Sequence, residues 1–313
     1  MLPSIKDLKP ADLSGKTVWL RVDFNAQYRI DRSLATIDFL RANGAKIILG
    51  THLSDQTASL EPVINYLASK ISLDGLTILP NLRTFPGEEA NSEELAREWA
   101  ASVDLYVNEA FAVSHRAHAS VVGLPKFLPH YAGFNFMEEV EQLSRLFTPV
   151  HPSLLIVGGG KIESKQPVID KFLVLVDKIL IGGALVKVFL DNKNDTPVGE
   201  AGKIIVPTEL VREGEKIVDV IITDEIKKLV KNAKRIIWAG PMGIYDHGYP
   251  EGTLALAEAI SNSNAESIIG GGDTIAAIPA DLLPKFTFVS TGGGAMLQFL
   301  ATGTLPGIEA LKY

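Results

Sequence analysis

The 313-residue chain is 46% hydrophobic and 21% charged, with a formal net charge of −7. That is enough apolar material for two ordinary globular domains, and the charge opposes non-specific binding to nucleic acid or anionic lipid. No cysteine is present, which excludes disulfides, thiolate metal sites and cysteine nucleophiles.

No apolar run approaches the ~18 residues a membrane helix needs. The first sixteen residues mix charge and proline rather than forming a signal-peptide core. A cytoplasmic monomer acting on small molecules, with neither nucleic acid nor membrane as partner, is the expectation.

Along the chain, short runs rich in Ile, Val and Leu recur at Thr17–Val22, Lys46–Gly50, Thr77–Pro80, Asp104–Asn108, Leu154–Val157, Lys178–Gly182, Lys203–Val206, Arg235–Trp238, Ser267–Gly270 and Thr287–Ser290. Each is too short for a helix and reads as a strand buried on both faces of a parallel sheet. Helical period lies between most of them, for example at Ser33–Gly44, Ser92–Val103 and Thr253–Ser263. The alternation is that of an α/β protein. The stretch Lys126–Phe147 breaks the rhythm. Its later part is helical, with Glu138, Glu139 and Glu141 near its start, and Pro149 and Pro152 come after it. It reads as the connection between two domains, with a helix near the joint.

The two halves carry different residues at the ends of their strands. In the first, Arg21, Arg29, His52, Arg83, His115 and Arg116 stand at or just beyond strand ends. In the second, Gly158–Gly160, Gly182–Gly183, Gly270–Gly272 and Gly292–Gly294 do. Ligands of open parallel sheets bind outside the carboxyl ends of the strands. One half is thus suited to hold an anion by side chains, the other to hold phosphates by backbone N–H groups.

A single glycine loop is as well explained by a tight turn; three triple-glycine loops in one half favour phosphate binding. Lys161 and Lys165 come after the first loop with i,i+4 spacing, which on a helix puts both on one face as a polyanion clamp or as solvated lysines. Asp273 comes after the second and suits either an N-cap or a Mg²⁺ ligand beside phosphates, with Thr274 on a phosphate oxygen. The third loop carries no charge and suits a neutral cradle for a transferring group. After the Arg235–Trp238 run, Gly240 and Pro241 precede Asp246; Pro241 and Ile244 suit a base pocket, and Asp246 suits ribose hydroxyls or a surface turn.

In the first half, Arg21, Asp23 and Asn25 alternate onto one face of a strand. His115, Arg116 and His118 crowd one loop, where arginine suits carboxylate or phosphate recognition and no zinc spacing is present. No GxGxxG with a distal acid supports a dinucleotide dehydrogenase.

In its ordered motifs the chain resembles the phosphoglycerate kinase family. They are RVDFN at 21–25, RI at 29–30, HL at 52–53, NLR at 81–83, PGEEAN at 86–91, VNEAF at 107–111, SHRAHAS at 114–120, AGF at 132–134, GGGKIESK at 158–165, GPMG at 240–243, GGGDT at 270–274, TGGGA at 291–295 and TLPGIEAL at 304–311. The resemblance implies two Rossmann-like domains with a cleft between them. Residues 1–140 would bind phosphoglycerate, with the tail 302–313 packed back on them, and 141–301 would bind nucleotide.

It also implies phosphoryl transfer between 1,3-bisphosphoglycerate and ADP, with Mg²⁺ and ATP/ADP. Asp23 and Asn25 would contact the glycerate end, and Arg21, His52, Arg83 and Arg116 its charged groups, with His115 in the same substrate site. Arg29 would stabilise the transferring phosphoryl. Lys161 and Lys165 would clamp phosphates, Asp273 would hold Mg²⁺ and Thr274 would bond phosphate. Gly292, Gly293 and Gly294 would cradle the transferred group and Asp246 would bind ribose; Gly182, Gly183, Gly240, Pro241, Gly270, Gly271 and Gly272 would complete the nucleotide site.

The chain departs from the family pattern in being shorter, in losing a loop after Asn25, and in replacing a helix by the segment 191–202. It also carries Asp55 where the family has arginine, Ala239 where it has asparagine, and Asp246 where it has glutamate. These departures leave open a second reading, a weak or inactive relative that binds nucleotide or a partner protein.

Overall fold

A computed structural model describes residues 2–191 and 202–312. The chain divides into two compact units, one running to Glu141 and resuming at Thr304, the other spanning Gln142–Gly303. The segment 191–202 lies, from 192 to 201, outside the described residues.

In the first unit, β1 (Thr17–Arg21), β2 (Lys46–Gly50), β3 (Leu76–Ile78), β4 (Leu105–Asn108) and β5 (His130–Ala132) form one parallel sheet in the order β3-β2-β1-β4-β5. The inner strands are apolar on both faces because helices cover both. Helix Gln27–Ala42 buries Ile30, Ile37 and Leu40 at helical spacing. Trp19 packs against Trp99 and Tyr106 at 5.6 and 5.9 Å between ring centroids. Its ring leaves no room for a side chain on the next strand, since a Cβ on Gly50 would lie 2.4 Å from it. Burying each such large apolar side chain contributes about 1.5–3 kcal/mol.

The second unit holds β6 (Ser153–Val157), β7 (Lys178–Ile181), β8 (Ile204–Ile205), β9 (Leu210–Glu213), β10 (Lys216–Val220), β11 (Arg235–Ala239), β12 (Glu266–Gly270) and β13 (Phe288–Ser290). Six form a parallel sheet in the order β13-β12-β11-β6-β7-β8, and β9 pairs with β10 as a separate antiparallel hairpin. The two sheets are the parallel, helix-flanked α/β layers expected from the apolar runs. In each, the chain leaves a central strand in opposite directions, between β1 and β4 and between β6 and β11. Those switch points open crevices at the strands' carboxyl ends.

Three elements differ from expectation. Strand β5 lies inside the stretch read as interdomain connection; at three residues after Pro129 it has no period to show. The β9–β10 hairpin turns at Gly214, which has φ +59°; β9 is largely exposed and polar, and Asp219 interrupts the apolar run of β10. Helix Gln27–Ala42 begins six residues before the expected Ser33, directly after the shortened turn, and so brings Arg29 into its first turn. Helix Phe134–Ser144 contains the point at which the chain passes from one unit to the other.

Candidate active site

In the first unit the basic side chains collect at the carboxyl ends of β1 to β4. Asp23, 5% exposed, organises them. Its Oδ2 accepts from Arg29 Nη1 at 2.6 Å, and its Oδ1 accepts from Asn25 N at 3.0 Å and Asn25 Nδ2 at 2.7 Å. Arg29 sits at a helix N-terminus, where the backbone dipole disfavours a cation. Burial also works against its charge, but the Asp23 carboxylate and Tyr28 together outweigh this and hold its pKa above the ordinary value.

The loop after β2 is held by polar contacts. Asn25 Oδ1 accepts from Ser54 N at 2.8 Å, Asn81 Oδ1 accepts from Leu53 N at 3.3 Å, and Arg83 Nη1 donates to Ser54 O at 2.6 Å. Arg83 also pairs with Glu89 at 3.0 Å. Asp55 is exposed and folds back on its own loop, accepting from Thr57 N at 2.8 Å and Thr57 Oγ1 at 2.7 Å; these bonds lower its pKa.

Behind this face lies a buried polar chain. Arg21 is 0% exposed. Its Nε donates to Ser120 Oγ at 2.9 Å, its Nη2 meets His52 Nδ1 at 2.6 Å, and its Nη1 donates to Val22 O. Ser120 in turn donates to both oxygens of the buried Glu88. Burial, then the charges of Arg21, Arg83 and Arg116, push the His52 pKa down to about 2. Burial and Arg21 likewise lower His118 to about 4. The turn bearing His115 and Arg116 is buttressed by the chain's final segment: Ser114 O accepts from Gly307 N at 2.8 Å, and Ile308 and Leu311 are buried.

In the second unit, a cavity of about 700 Å³ opens at the switch point. It is walled by Gly159, Gly160, Lys161 and Lys165 after β6, by Gly240 and Pro241 after β11, by Gly271–Thr274 after β12, and by Gly293 and Gly294 after β13. The loops touch backbone to backbone: a Cβ on Gly240, which has φ +100°, would lie 2.2 Å from Gly158 O. Gly240 N donates to Thr274 Oγ1 at 2.8 Å, tying the loop after β11 to that after β12. Trp238 Nε1 donates to Gly240 O at 2.8 Å. Burial lowers the Lys165 pKa and Lys161 adds to this, while Asp273 opposes it.

Lys161 and Lys165 reach the cavity together, but not from one helix. A 3₁₀ turn, Ile162–Ser164, separates them, and Lys165 is the N-cap of helix Gln166–Phe172. Several expected nucleotide residues stand outside the cavity lining. A Cβ on Gly182 would strike Met242 Sδ at 2.4 Å, one on Gly183 would strike Gly159 N at 2.5 Å, and one on Gly270 would strike Met296 Sδ at 2.1 Å. These glycines permit close packing beneath the loops. Gly292 is buried, its N–H on Ser290 Oγ, and Asp246 is exposed in the 3₁₀ turn Tyr245–His247.

Arg21, expected against the substrate, is enclosed by protein groups. Sequence reasoning missed Glu88, Ser120 and Asn81, which brace the basic face, and Leu297 and Gln298, which line the cavity. The motifs PGEEAN, SHRAHAS and NLR contained the first three without indicating what they touch.

Among the described residues no group of three or more His, Cys, Asp or Glu is arranged to hold a metal. Asp273 and Glu163 are the carboxylates in the cavity lining, a set that fits the way Mg²⁺ binds nucleotides, through one or two carboxylates and the phosphates themselves.

A model of the family described as phosphoglycerate kinase matches residues 5–222 and 200–303. Phosphoglycerate kinase of Leptospira biflexa is 34% identical over 389 residues, covering 97% of each chain. That of Pseudothermotoga lettingae is 32% identical over 387 residues, covering 97% of this chain and 98% of the other. Both alignments are longer than the 313 residues here, so the chain lacks internal segments that these relatives carry. Among solved structures, phosphoglycerate kinase from Pyrococcus horikoshii superposes with a TM-score of 0.86 at 26% identity, covering 99% of this chain and 98% of that one. The one from Coxiella burnetii superposes with a TM-score of 0.83 at 29% identity, covering 99% of each.

Proposed function

The chain belongs to the phosphoglycerate kinase family, and on that premise we propose that it transfers a phosphoryl group reversibly between 1,3-bisphosphoglycerate and ADP, giving 3-phosphoglycerate and ATP in the cytoplasm. The observation that carries this is the cavity of the second unit, where four glycine-bearing loops, Lys161, Lys165 and Asp273 converge on one space large enough for a nucleotide. Two lysines and a carboxylate around backbone donors serve transfer; a protein that merely bound a nucleotide would not require them together, which opposes the inactive reading.

In this proposal the nucleotide phosphates lie on the loops after β6 and β12, clamped by Lys165 and bonded by Thr274. Lys161, Gly293 and Gly294 meet the transferring group. Asp273 would hold Mg²⁺, which neutralises phosphate charge when bound. The acceptor lies on the first unit, against Asn25, His52, Arg83, His115 and Arg116, with Asp23 positioning Arg29 for the transferring phosphoryl. The acceptor oxygen belongs to a carboxylate and carries no proton to remove. Catalysis then reduces to alignment and charge neutralisation, and a general base is unnecessary.

The test is ATP formation from 1,3-bisphosphoglycerate and ADP in a coupled assay with purified protein. Saturable, magnesium-dependent turnover is expected; nucleotide binding without turnover would overturn the proposal.

A further inference from the structure

We propose that Arg21 is a positioning residue for His52: it holds the imidazole as the neutral tautomer with its proton on Nε2, giving the acceptor face one fixed hydrogen-bond donor. That this donor meets phosphoglycerate rests on the function proposed above. The tautomer does not.

A guanidinium donates and never accepts. The 2.6 Å approach of Arg21 Nη2 to His52 Nδ1 therefore requires a lone pair on Nδ1, and the ring proton must be on Nε2. Arg21 is wholly buried and out of a ligand's reach. Its Nε and Nη1 donate to Ser120 Oγ and Val22 O, so three of its five N–H groups hold the fork in one orientation. Its charge is tolerated because Glu88, 0% exposed, lies one hydroxyl away: Ser120 accepts from Arg21 and donates to Glu88. Tyr106 fixes the same turn by donating to Ser120 O at 2.8 Å. His52 Nε2 makes no hydrogen bond among the described residues.

The groups around the ring agree. Arg21 reaches it from β1, Arg83 from beyond β3, and Arg116 and His118 from beyond β4, all opposing an imidazolium, while Glu88 is engaged by Ser120. Burial contributes most to the low pKa. A neutral donor of fixed tautomer contacts an anionic ligand without taking up a proton, and no ring flip is needed at the moment of binding.

The ring nitrogens can be read directly in unliganded protein labelled with ¹⁵N-histidine, using long-range ¹H–¹⁵N correlation spectra. The six histidines allow His52 to be assigned by its loss in His52→Gln. The expected result is a protonated Nε2 and a bare Nδ1, unchanged from pH 5.5 to 8. A protonated Nδ1, or a titration midpoint inside that range, overturns the proposal without any further variant.

In Arg21→Met, Nδ1 loses the donor that fixes it, so the ring should show Nε2-protonated and Nδ1-protonated tautomers together, while burial, Arg83 and Arg116 keep it neutral across that range. The 3-phosphoglycerate Kd, measured by calorimetry, should weaken on the order of tenfold, the worth of one hydrogen bond to a charged group, with the ADP Kd within about twofold. If that variant does not fold, Arg21→Lys replaces it, since an ammonium cannot span Ser120 and Nδ1 together. A His52 that keeps its proton on Nε2 alone in the folded variant would remove Arg21 as the cause. Should wild type show the expected tautomer yet not bind 3-phosphoglycerate, the function proposed above fails while the tautomer stands.

Discussion

Asp23→Ala should destabilise the first unit by about 2–4 kcal/mol. Breaking a buried ion pair by removing one partner typically costs about 3–5 kcal/mol, because the other charge is left uncompensated. The range is lowered here because the Arg29 side chain keeps 18% of its surface in water, against 5% for Asp23. Two contributions hold the expected value above that of a surface pair. Arg29 would be left at a helix N-terminus, where the dipole disfavours it. Asn25 would also lose the acceptor of its N–H and one of the two acceptors of its side-chain amide.

Urea unfolding followed by tryptophan fluorescence is suited to the measurement, since Trp19 and Trp99 lie in this unit. Arg29→Met and the double variant complete a cycle. The double variant should lose less than the sum of the singles, because no orphaned charge remains. A single-variant loss below about 1 kcal/mol, or strict additivity, would refute the reasoning. The 3-phosphoglycerate KM should rise with the ADP Kd unchanged, as Asp23 belongs to the other unit.

Gly240→Ala combines a positive φ, about 1–2 kcal/mol, with overpacking against Gly158 O, about 1–3 kcal/mol. Scanning calorimetry should show a clear fall in Tm and nucleotide binding should weaken; a Tm within a degree of wild type would contradict the close approach. Burial raises the Glu109 carboxyl from 4.5 to about 8, although it accepts from Thr36 Oγ1 and the N–H groups of Asn135 and Phe136. The folded state then binds more protons than the unfolded one, so this group's contribution to stability falls as pH rises from about 4.5 to 8. Tm measured against pH should decline more steeply over that window in wild type than in Glu109→Gln, and parallel curves would argue against it. Asp55→Asn keeps the turn on Thr57 and should lower the phosphoglycerate KM modestly. Asp55→Arg should lower it about tenfold, the worth of a charge-assisted hydrogen bond; unchanged values in both would mean that the carboxylate has no part in the acceptor face. If Lys161 meets the transferring group as proposed, Lys161→Ala should depress kcat far more than nucleotide affinity, since a contact made mainly in the transition state shows in kcat, and a kcat within about twofold of wild type would discount that role.

Strands buried on both faces must be apolar without interruption, and backbone can approach backbone only where glycine stands. For that reason the runs at Lys46–Gly50 and Arg235–Trp238, and the loops Gly158–Gly160 and Gly270–Gly272, were legible residue by residue, together with Lys161, Lys165 and Asp273 beside them. Which of these groups face a ligand was not. Arg21, Asp23 and Asn25 read as one face of a strand, but β1 ends at Arg21, and Arg21 turns inward because Ser120 and Glu88, far along the chain, form a buried receptor for its guanidinium. Gly182 and Gly270 read as phosphate binders but serve Met242 and Met296, whose sulfurs fill the space a Cβ would take. Local periodicity encodes elements and their buried faces through neighbouring residues alone. Orientation, burial and protonation depend on partners brought together only when the sheets close, so the inward turn of Arg21 and the lone pair on His52 Nδ1 belong to the tertiary structure.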